Sequence, residues 1–397
     1  MKELLRDAAY RRVWLVGACA GMMRWLDQLA VGIYVFEVTS SPLLVAIITL
    51  CRLMPMLAGA FIGALAERVP LRRMLIANLL AMTAVYGVLA ALAFSGHLQI
   101  WQVGIGATLV GLYWASEMSV RRTLLGEIAG GERLGSAMGL DWVAVNGTRL
   151  IGPLLGGAIY AGWGVGGTFL LGAALFGTAA LVAFGLKAGM EARGKVGRNV
   201  LSDIVDGLRW AAARPVVMGL LAVTVVMNAL AFPYASMVPV IGKEVLHADP
   251  VGVGLLTSAE GIGALLGSFV LANTVRPAWY ARTFTIGCMI CLSAALVFGL
   301  SNSYVFSLGV LVLLGLGSSA FATMQSTVML TAAPPEQRSR MMGVLSSTIG
   351  TGQIGYLHIG ILADYFGAPW AVAISMTEGL ILLALCVKFW PALWRRE

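Results

Sequence analysis

Eight ionisable side chains lie inside stretches that are otherwise apolar: Arg24, Asp27, Arg52, Glu117, Asp141 and Arg149 in the first half, Glu260 and Glu378 in the second. Away from water, a carboxylate near a guanidinium does two kinds of chemistry. It forms an ion pair that ties two elements together, and it takes up a proton when the pair is broken and the carboxylate is left desolvated. Neither is bond-making catalysis. The three histidines, at 97, 247 and 358, are too scattered for a metal cluster or a Ser-His-Asp relay. The chain has no G-x-x-x-x-G-K-[ST] phosphate loop through which ATP could act directly. Cys288 and Cys291 form a C-x-x-C with no nearby His or further Cys; like Cys19, Cys51 and Cys386 they fall in apolar runs and read as small buried residues. The expectation is a chain without enzymatic activity, metal or cofactor.

The elements that hold these charges follow from composition. Apolar residues make up 59% of 397 positions and charged residues 12%, against about 25% charged in a soluble domain. No soluble core of this size hides so much apolar surface, so lipid is the solvent for most of the chain. A helical crossing needs about 20 apolar residues. Runs between polar breaks give twelve, at about 13–36, 43–66, 74–95, 100–120, 135–160, 166–186, 215–241, 251–274, 283–300, 305–331, 341–363 and 368–390. The fold class expected is therefore an all-α membrane protein of twelve transmembrane helices. Lys2 to Arg12 followed by VWLVGACA has the form of a signal peptide, but the apolar run continues through Phe36, which makes it an uncleaved first span.

Charge sets the orientation. With the N-terminus inside, 23 of the 27 Lys and Arg residues fall in cytoplasmic segments and only Lys243 in an outer loop. The net charge of +8 is thus a topology signal and not a nucleic-acid footprint. Both termini are expected in the cytoplasm of a bacterial-type inner membrane. Residues 187–214 form the longest polar stretch, and Leu201, Ile204, Val205 and Leu208 within it repeat at i, i+3, i+4, i+7, as in a helix lying on a membrane surface. This linker divides a six-helix bundle at 1–186 from a second at 215–397. The halves echo each other: Pro42, Gly59 and Arg68 match Pro250, Gly267 and Arg276 at an offset of 208, and Met138-Gly139 and Gly156 match Met342-Gly343 and Gly360 at 204.

The loop after span two, Gly63-Ala-Leu-Ala-Glu67-Arg68-Val-Pro70-Leu71-Arg72-Arg73, resembles the G-x-L-A-D-R-x-G-R-K motif of the major facilitator superfamily, with Glu67 for Asp, Pro70 for Gly and Leu71 for a basic residue. A carboxylate at Glu67 still suits a helix N-terminus, and Arg68 and Arg72 still offer cations to acidic partners. Gly152-Pro153-Leu-Leu-Gly156-Gly157 in span five looks like the G-P-x-x-G-G core of exporters in that superfamily. Its proline kinks the helix and its glycines admit close helix contact, so it serves either flexing or plain packing. Arg24-Trp25 with Thr39-Ser40-Ser41-Pro42, Arg52 with Pro55, Asn146 with Arg149, Phe232-Pro233-Tyr234 with Pro239, and Gly261-Ile-Gly263-Ala-Leu-Leu-Gly267 resemble the branch that holds macrolide-efflux proteins and the enterobactin exporter. The resemblance implies two pseudo-symmetric six-helix bundles and proton-coupled export.

Against that background each intramembrane charge acquires an expected role. Asp27 lies three residues from Arg24, so the two pair on one helical face. Glu117 and Asp141 lie near span ends, within reach of Arg68, Arg72 or Arg121, as gate or loop anchors. Glu260 is the repeat mate of Arg52. The resemblance implies that spans five and eight meet, which makes Arg149 and Glu260 an inter-half pair whose breaking favours proton uptake, or else a static bridge. Asp27, on a span that lines the cavity in the superfamily, is the second coupling candidate. Glu378 falls on a span that is peripheral there, as a packing or lipid-edge residue, and His358 reads as a solitary buried histidine. Trp25, Tyr34, Tyr113, Trp114, Asn228, Tyr234, Gln325 and Gln353 supply the aromatic walls and sparse polar groups that suit an amphipathic ligand, or are packing. The expected function is proton-driven antiport of a siderophore or drug by a single chain, its partners being substrate, protons and lipid. A nutrient symporter and a non-transporting membrane sensor are the alternatives.

Overall fold

A computed structural model describes residues 6–58, 70–186, 209–333 and 338–394, and among them the regular structure is helical, with no strand. The helices are α1 (Ala8–Thr39), α2 (Pro42–Leu53), α3 (Leu71–Phe94), α4 (Ile100–Phe184), α5 (Pro215–Val226), α6 (Val238–Glu244), α7 (Pro250–Thr274), α8 (Tyr280–Gly299), α9 (Tyr304–Ala332), α10 (Arg338–Ile349), α11 (Gly352–Phe366) and α12 (Ala368–Phe389). Among the described residues, seven helical segments are long and apolar enough to cross a membrane. The other sequence-read spans are shorter, broken, charged or run past the described residues. The amphipathic stretch at Leu201–Leu208 and the loop carrying Glu67 and Arg68 lie outside the described residues.

Local chemistry explains where the helices begin. The Asp7 carboxylate accepts the N–H of Ala9 at 2.8 Å, Ser41 Oγ that of Leu44 at 3.3 Å, Asp249 Oδ1 that of Gly252 at 2.7 Å and Ser303 Oγ that of Phe306 at 3.5 Å. These are N-caps, each satisfying a backbone donor that the first helical turn leaves over. Ser41-Pro42 and Asp249-Pro250 are repeat mates at the 208 offset, so the internal repeat reaches down to cap and first-turn proline.

Helix α4 runs through what the sequence divides into spans four, five and six. It is not a straight rod, because Arg121 pairs with Asp141 and Tyr113 lies edge-on to Phe176 at 5.1 Å. Gly164, at φ +61°, supplies a backbone angle that side-chain-bearing residues avoid, near the junction of spans five and six. Span seven is broken as well: α5 passes into a π turn (Met227–Ala231) and a 3-10 turn (Phe232–Ser236) before α6. Pro233 has no N–H to give the Ala229 carbonyl, so the α-helical ladder cannot continue there.

The chain forms two compact units. Unit 1 gathers Met1–Val38, Ile48–Val196 and Asp249–Gly254; unit 2 gathers Thr39–Ile47, Gly197–Ala248 and Leu255–Glu397. Glycine contacts shape each. In unit 1 a Cβ on Gly156 would stand 2.8 Å from the Leu26 carbonyl oxygen, one on Gly152 2.8 Å from Trp25 Cβ, and one on Gly157 would fall on the Pro250 carbonyl oxygen. The G-P-x-x-G-G stretch therefore brings α4 into backbone contact with α1 and with the start of α7. In unit 2, Gly263 and Gly315 meet where α7 crosses α9, and Gly355 of α11 lies on the Ala229 carbonyl oxygen that Pro233 leaves over.

Gly157→Ala should lower the thermal unfolding midpoint of detergent-solubilised protein, by the equivalent of about 1–3 kcal/mol. Gly162→Ala, where an added methyl meets open space, should stay within about 0.5 kcal/mol of the parent.

Candidate functional site

Unit 1 holds two buried ionic clusters. In the first, Arg52 at the C-terminal end of α2 reaches Asp27 in the middle of α1, Nη2 to Oδ2 2.6 Å, with side chains 8% and 2% exposed. Tyr86 of α3 lies beside this carboxylate. Three helices thus meet at one charge. The pairing of Asp27 with Arg24 expected from their spacing is corrected here: Asp27 takes Arg52 from the neighbouring helix. Arg24 instead stacks on Trp25 and Trp114, its guanidinium carbon 5.4 and 4.9 Å from the ring centres.

The second cluster centres on Arg121. Its guanidinium is held by Glu117, one turn earlier on α4, and by Asp141, with a second bond from Nη2 to Asp141 Oδ2 at 3.3 Å. All three residues are buried. Among the described residues Arg121 binds both Glu117 and Asp141, whereas Arg72 donates to the Phe184 carbonyl at 2.8 Å. The Glu117–Arg121 half is legible in the i, i+4 spacing; the Asp141 half depends on how α4 folds back.

Arg149 also lies over Trp25, its guanidinium carbon 5.4 Å from the ring centre. Trp25, Arg24, Arg149 and Trp114 therefore form one cation–π group, and Tyr113 packs edge-on to Trp114 at 5.4 Å. Tyr34 stands apart, donating to the Leu98 carbonyl at 3.4 Å.

Unit 2 carries a different arrangement. The Tyr234 hydroxyl, on the 3-10 turn that breaks span seven, donates to Glu260 Oε2 at 2.6 Å. One turn below the π turn, Gln325 Nε2 donates to Thr224 Oγ1 at 2.8 Å and Asn228 Nδ2 to the Thr224 carbonyl at 2.9 Å. Phe321 packs against Phe232 and Phe284 beside them, with ring centres 5.2 and 5.5 Å away. Gln353 follows Gly352, which packs towards Asn228 at the start of α11. Asn228 and Tyr234 thus lie on an interrupted helix to which Gln325 is bonded, the setting in which membrane proteins build ligand and ion sites. Sequence reasoning missed Tyr86 and Thr224, whose residue types carry no signal of their own, and it missed the partner of His358. That histidine is not solitary: Nε2 lies 2.8 Å from Glu378 Oε2, and both side chains are partly exposed.

A family model described as transmembrane secretion effector, of the major facilitator type, matches residues 3–393. The chain belongs to that family. It is a multi-pass membrane transporter of the major facilitator superfamily and not an enzyme. Among curated proteins it is 28% identical to the multidrug efflux pump Tap of Mycolicibacterium fortuitum over 90% of each chain. It is 23% identical to the staphyloferrin A transporter of Staphylococcus aureus over 86% of each. To the enterobactin exporter EntS of Escherichia coli it is 25% identical over 65% of this chain and 61% of that one. Among solved structures, a bacterial homologue of the lysosomal transporter Spinster superposes with a TM-score of 0.75 at 14% identity, covering 98% of this chain and 97% of that one. A point mutant of the nucleoside transporter NupG gives 0.77 at 11% identity, covering 96% and 100%. These likenesses establish the fold of the superfamily.

Asp27→Asn or Arg52→Gln alone leaves a buried partner without its counter-charge and should cost about 3–5 kcal/mol, while the double substitution removes both charges and should recover more than half of that loss. Thermal and denaturant unfolding of the four proteins in detergent measures the difference.

Proposed function

We propose that the chain is a proton-driven exporter of a small amphipathic molecule, a siderophore or a drug, working by alternating access of two six-helix bundles joined by the 187–214 linker. Export is favoured by the names of the curated relatives, one a multidrug pump and one an enterobactin exporter, and by the G-P-x-x-G-G stretch on α4. The observation that carries proton coupling is the Tyr234–Glu260 hydrogen bond at the break in span seven. A phenol is a neutral donor that also accepts, so its bond to Glu260 is compatible with either protonation state. Glu260 is thus the primary proton carrier and Asp27 the second, released when Arg52 moves away.

The remaining residues take roles consistent with these positions. Arg24, Arg149, Trp25, Trp114 and Tyr113 offer one wall to an amphipathic ligand, and Asn228, Tyr234, Gln325 and Gln353 another. Arg121 with Glu117 and Asp141, and Glu67, Arg68 and Arg72 in the loop after span two, act as charge locks. Gly152, Pro153, Gly156 and Gly157 form the close-packed joint about which α4 flexes. Both termini face the cytoplasm of a bacterial-type inner membrane, in line with the Lys and Arg distribution, and the working unit is a single chain.

The test uses ethidium as probe in proteoliposomes. Glu260→Gln should lower efflux driven by a pH gradient by at least about tenfold while leaving counterflow of labelled ethidium measurable. Gradient-driven efflux at the parent rate would sink the role of Glu260, and gradient-driven uptake in the parent would turn the direction to import.

A further inference from the structure

The His358–Glu378 pair belongs to neither the ionic clusters of unit 1 nor the Tyr234–Glu260 site. Its side chains are 35% and 43% exposed, where those of Arg52 and Asp27 are 8% and 2%. His358 is eight residues before the end of α11 at Phe366, and Glu378 ten residues after the start of α12 at Ala368. At about 1.5 Å per residue, both lie about 12–15 Å from the turn at Gly367, close to the middle of a hydrocarbon core about 30 Å thick. The neighbouring residues on the same faces, Ile354, Leu357 and Ile361 of α11 and Ile381 and Leu382 of α12, are all at least 41% exposed. Two ionisable groups therefore stand mid-helix on an apolar, open face, where a pair of leucines would be tolerated at no electrostatic cost.

The identity of the cation matters. A guanidinium holds its proton throughout the accessible pH range, so Arg–carboxylate pairs are fixed charges. An imidazole exchanges its proton between about pH 5 and 8. With one proton the His–Glu pair is neutral overall, with none it is anionic and with two cationic, and only the neutral form is free of a net-charge cost in apolar surroundings. Each change of proton occupancy also alters the bond between the two helices. Helix α11 is the upper part of an interrupted span, separated from α10 by Gly350 and Thr351, and it leans through Gly355 on the broken span seven. It also packs through Gly360 on Leu43 and Ala46 of α2, and the His358–Glu378 bond is a polar tie between it and α12.

We propose that His358 and Glu378 form a proton-binding site separate from Glu260, whose occupancy sets how α11 is held on α12 and, resting on the exporter reading, the pH dependence of transport. The other ionisable groups on the packed elements have places of their own. Tyr234 gives its hydroxyl to Glu260, and Cys288 and Cys291 of α8 are buried in the packing. Lys243 and Glu244 end α6 and Lys388 lies in the last turn of α12, while α11 itself adds Tyr356 and Asp364.

The chain has three histidines, so His97→Gln and His247→Gln together leave His358 as the one imidazole for nitrogen-15 magnetic resonance in phospholipid nanodiscs. The expected result is a reversible protonation of this imidazole whose pH dependence is displaced by about one pH unit or more in Glu378→Gln. In ethidium efflux from proteoliposomes, His358→Gln and Glu378→Gln should each move the pH of fastest transport by a similar amount. Where Glu378→Gln does not fold, Glu378→Asp, which keeps the charge but shortens its reach, takes its place. An imidazole that shows no reversible protonation in the folded protein, or one indifferent to substitution at Glu378, overturns the site. If both variants keep the parent pH profile, the link to transport is overturned even though the site binds protons. A parent protein that moves no ethidium counts against the exporter reading and leaves the resonance result to decide proton binding.

Discussion

A charge in hydrocarbon has to be met by opposite charge or by hydrogen bonds, and that requirement organises both units. Asp27 alone in the middle of α1 would cost several kcal/mol; with Arg52 and Tyr86 beside it, it joins three helices at one point. Arg121 does the same for α4, holding the helix against itself through Glu117 and Asp141. These pairs fix helix positions as disulfides might in a secreted domain, with one difference: moving a proton or a helix dissolves them. A transporter that must hold two arrangements in turn needs ties of that reversible kind.

Small residues set the second condition. In lipid no hydrophobic effect drives helices together, so close backbone approach supplies the packing energy. Gly156 and Gly157 lie where α4 meets α1 and the first turn of α7, and Gly263, Gly315 and Gly355 repeat the device in unit 2. The placement of Gly355 over the carbonyl freed by Pro233 shows how an interruption in one helix is accommodated by the absence of a side chain on another. The interruption then leaves room for Tyr234, Asn228 and Gln325 to present polar groups without a continuous helix between them.

The contrast between the units is electrostatic. In unit 1 guanidinium groups, which never release their protons, hold Asp27, Glu117 and Asp141, while Glu37 takes a bond from the Tyr160 phenol. In unit 2 Glu260 takes a bond from a phenol and Glu378 one from an imidazole, partners that tolerate a change of protonation.

Composition, apolar run length, the Lys and Arg distribution and the 208-residue echo are local or statistical properties, so the sequence by itself determined the membrane setting and the helical class, and the resemblance of its motifs pointed to the superfamily. Within the site it determined which groups were costly enough to matter, and the Glu117–Arg121 pair, whose partners are one turn apart. It did not determine partners on different helices. Arg24, three residues from Asp27, was the natural choice by spacing, yet Arg52 prevails because α2 lies against that face of α1. His358 and Glu378 look unrelated at twenty residues' separation and become neighbours because the turn at Gly367 folds α11 back along α12. Rotation of one helix about its axis decides such contacts, and rotation is set by the sum of packing over the whole bundle, which no local spacing encodes.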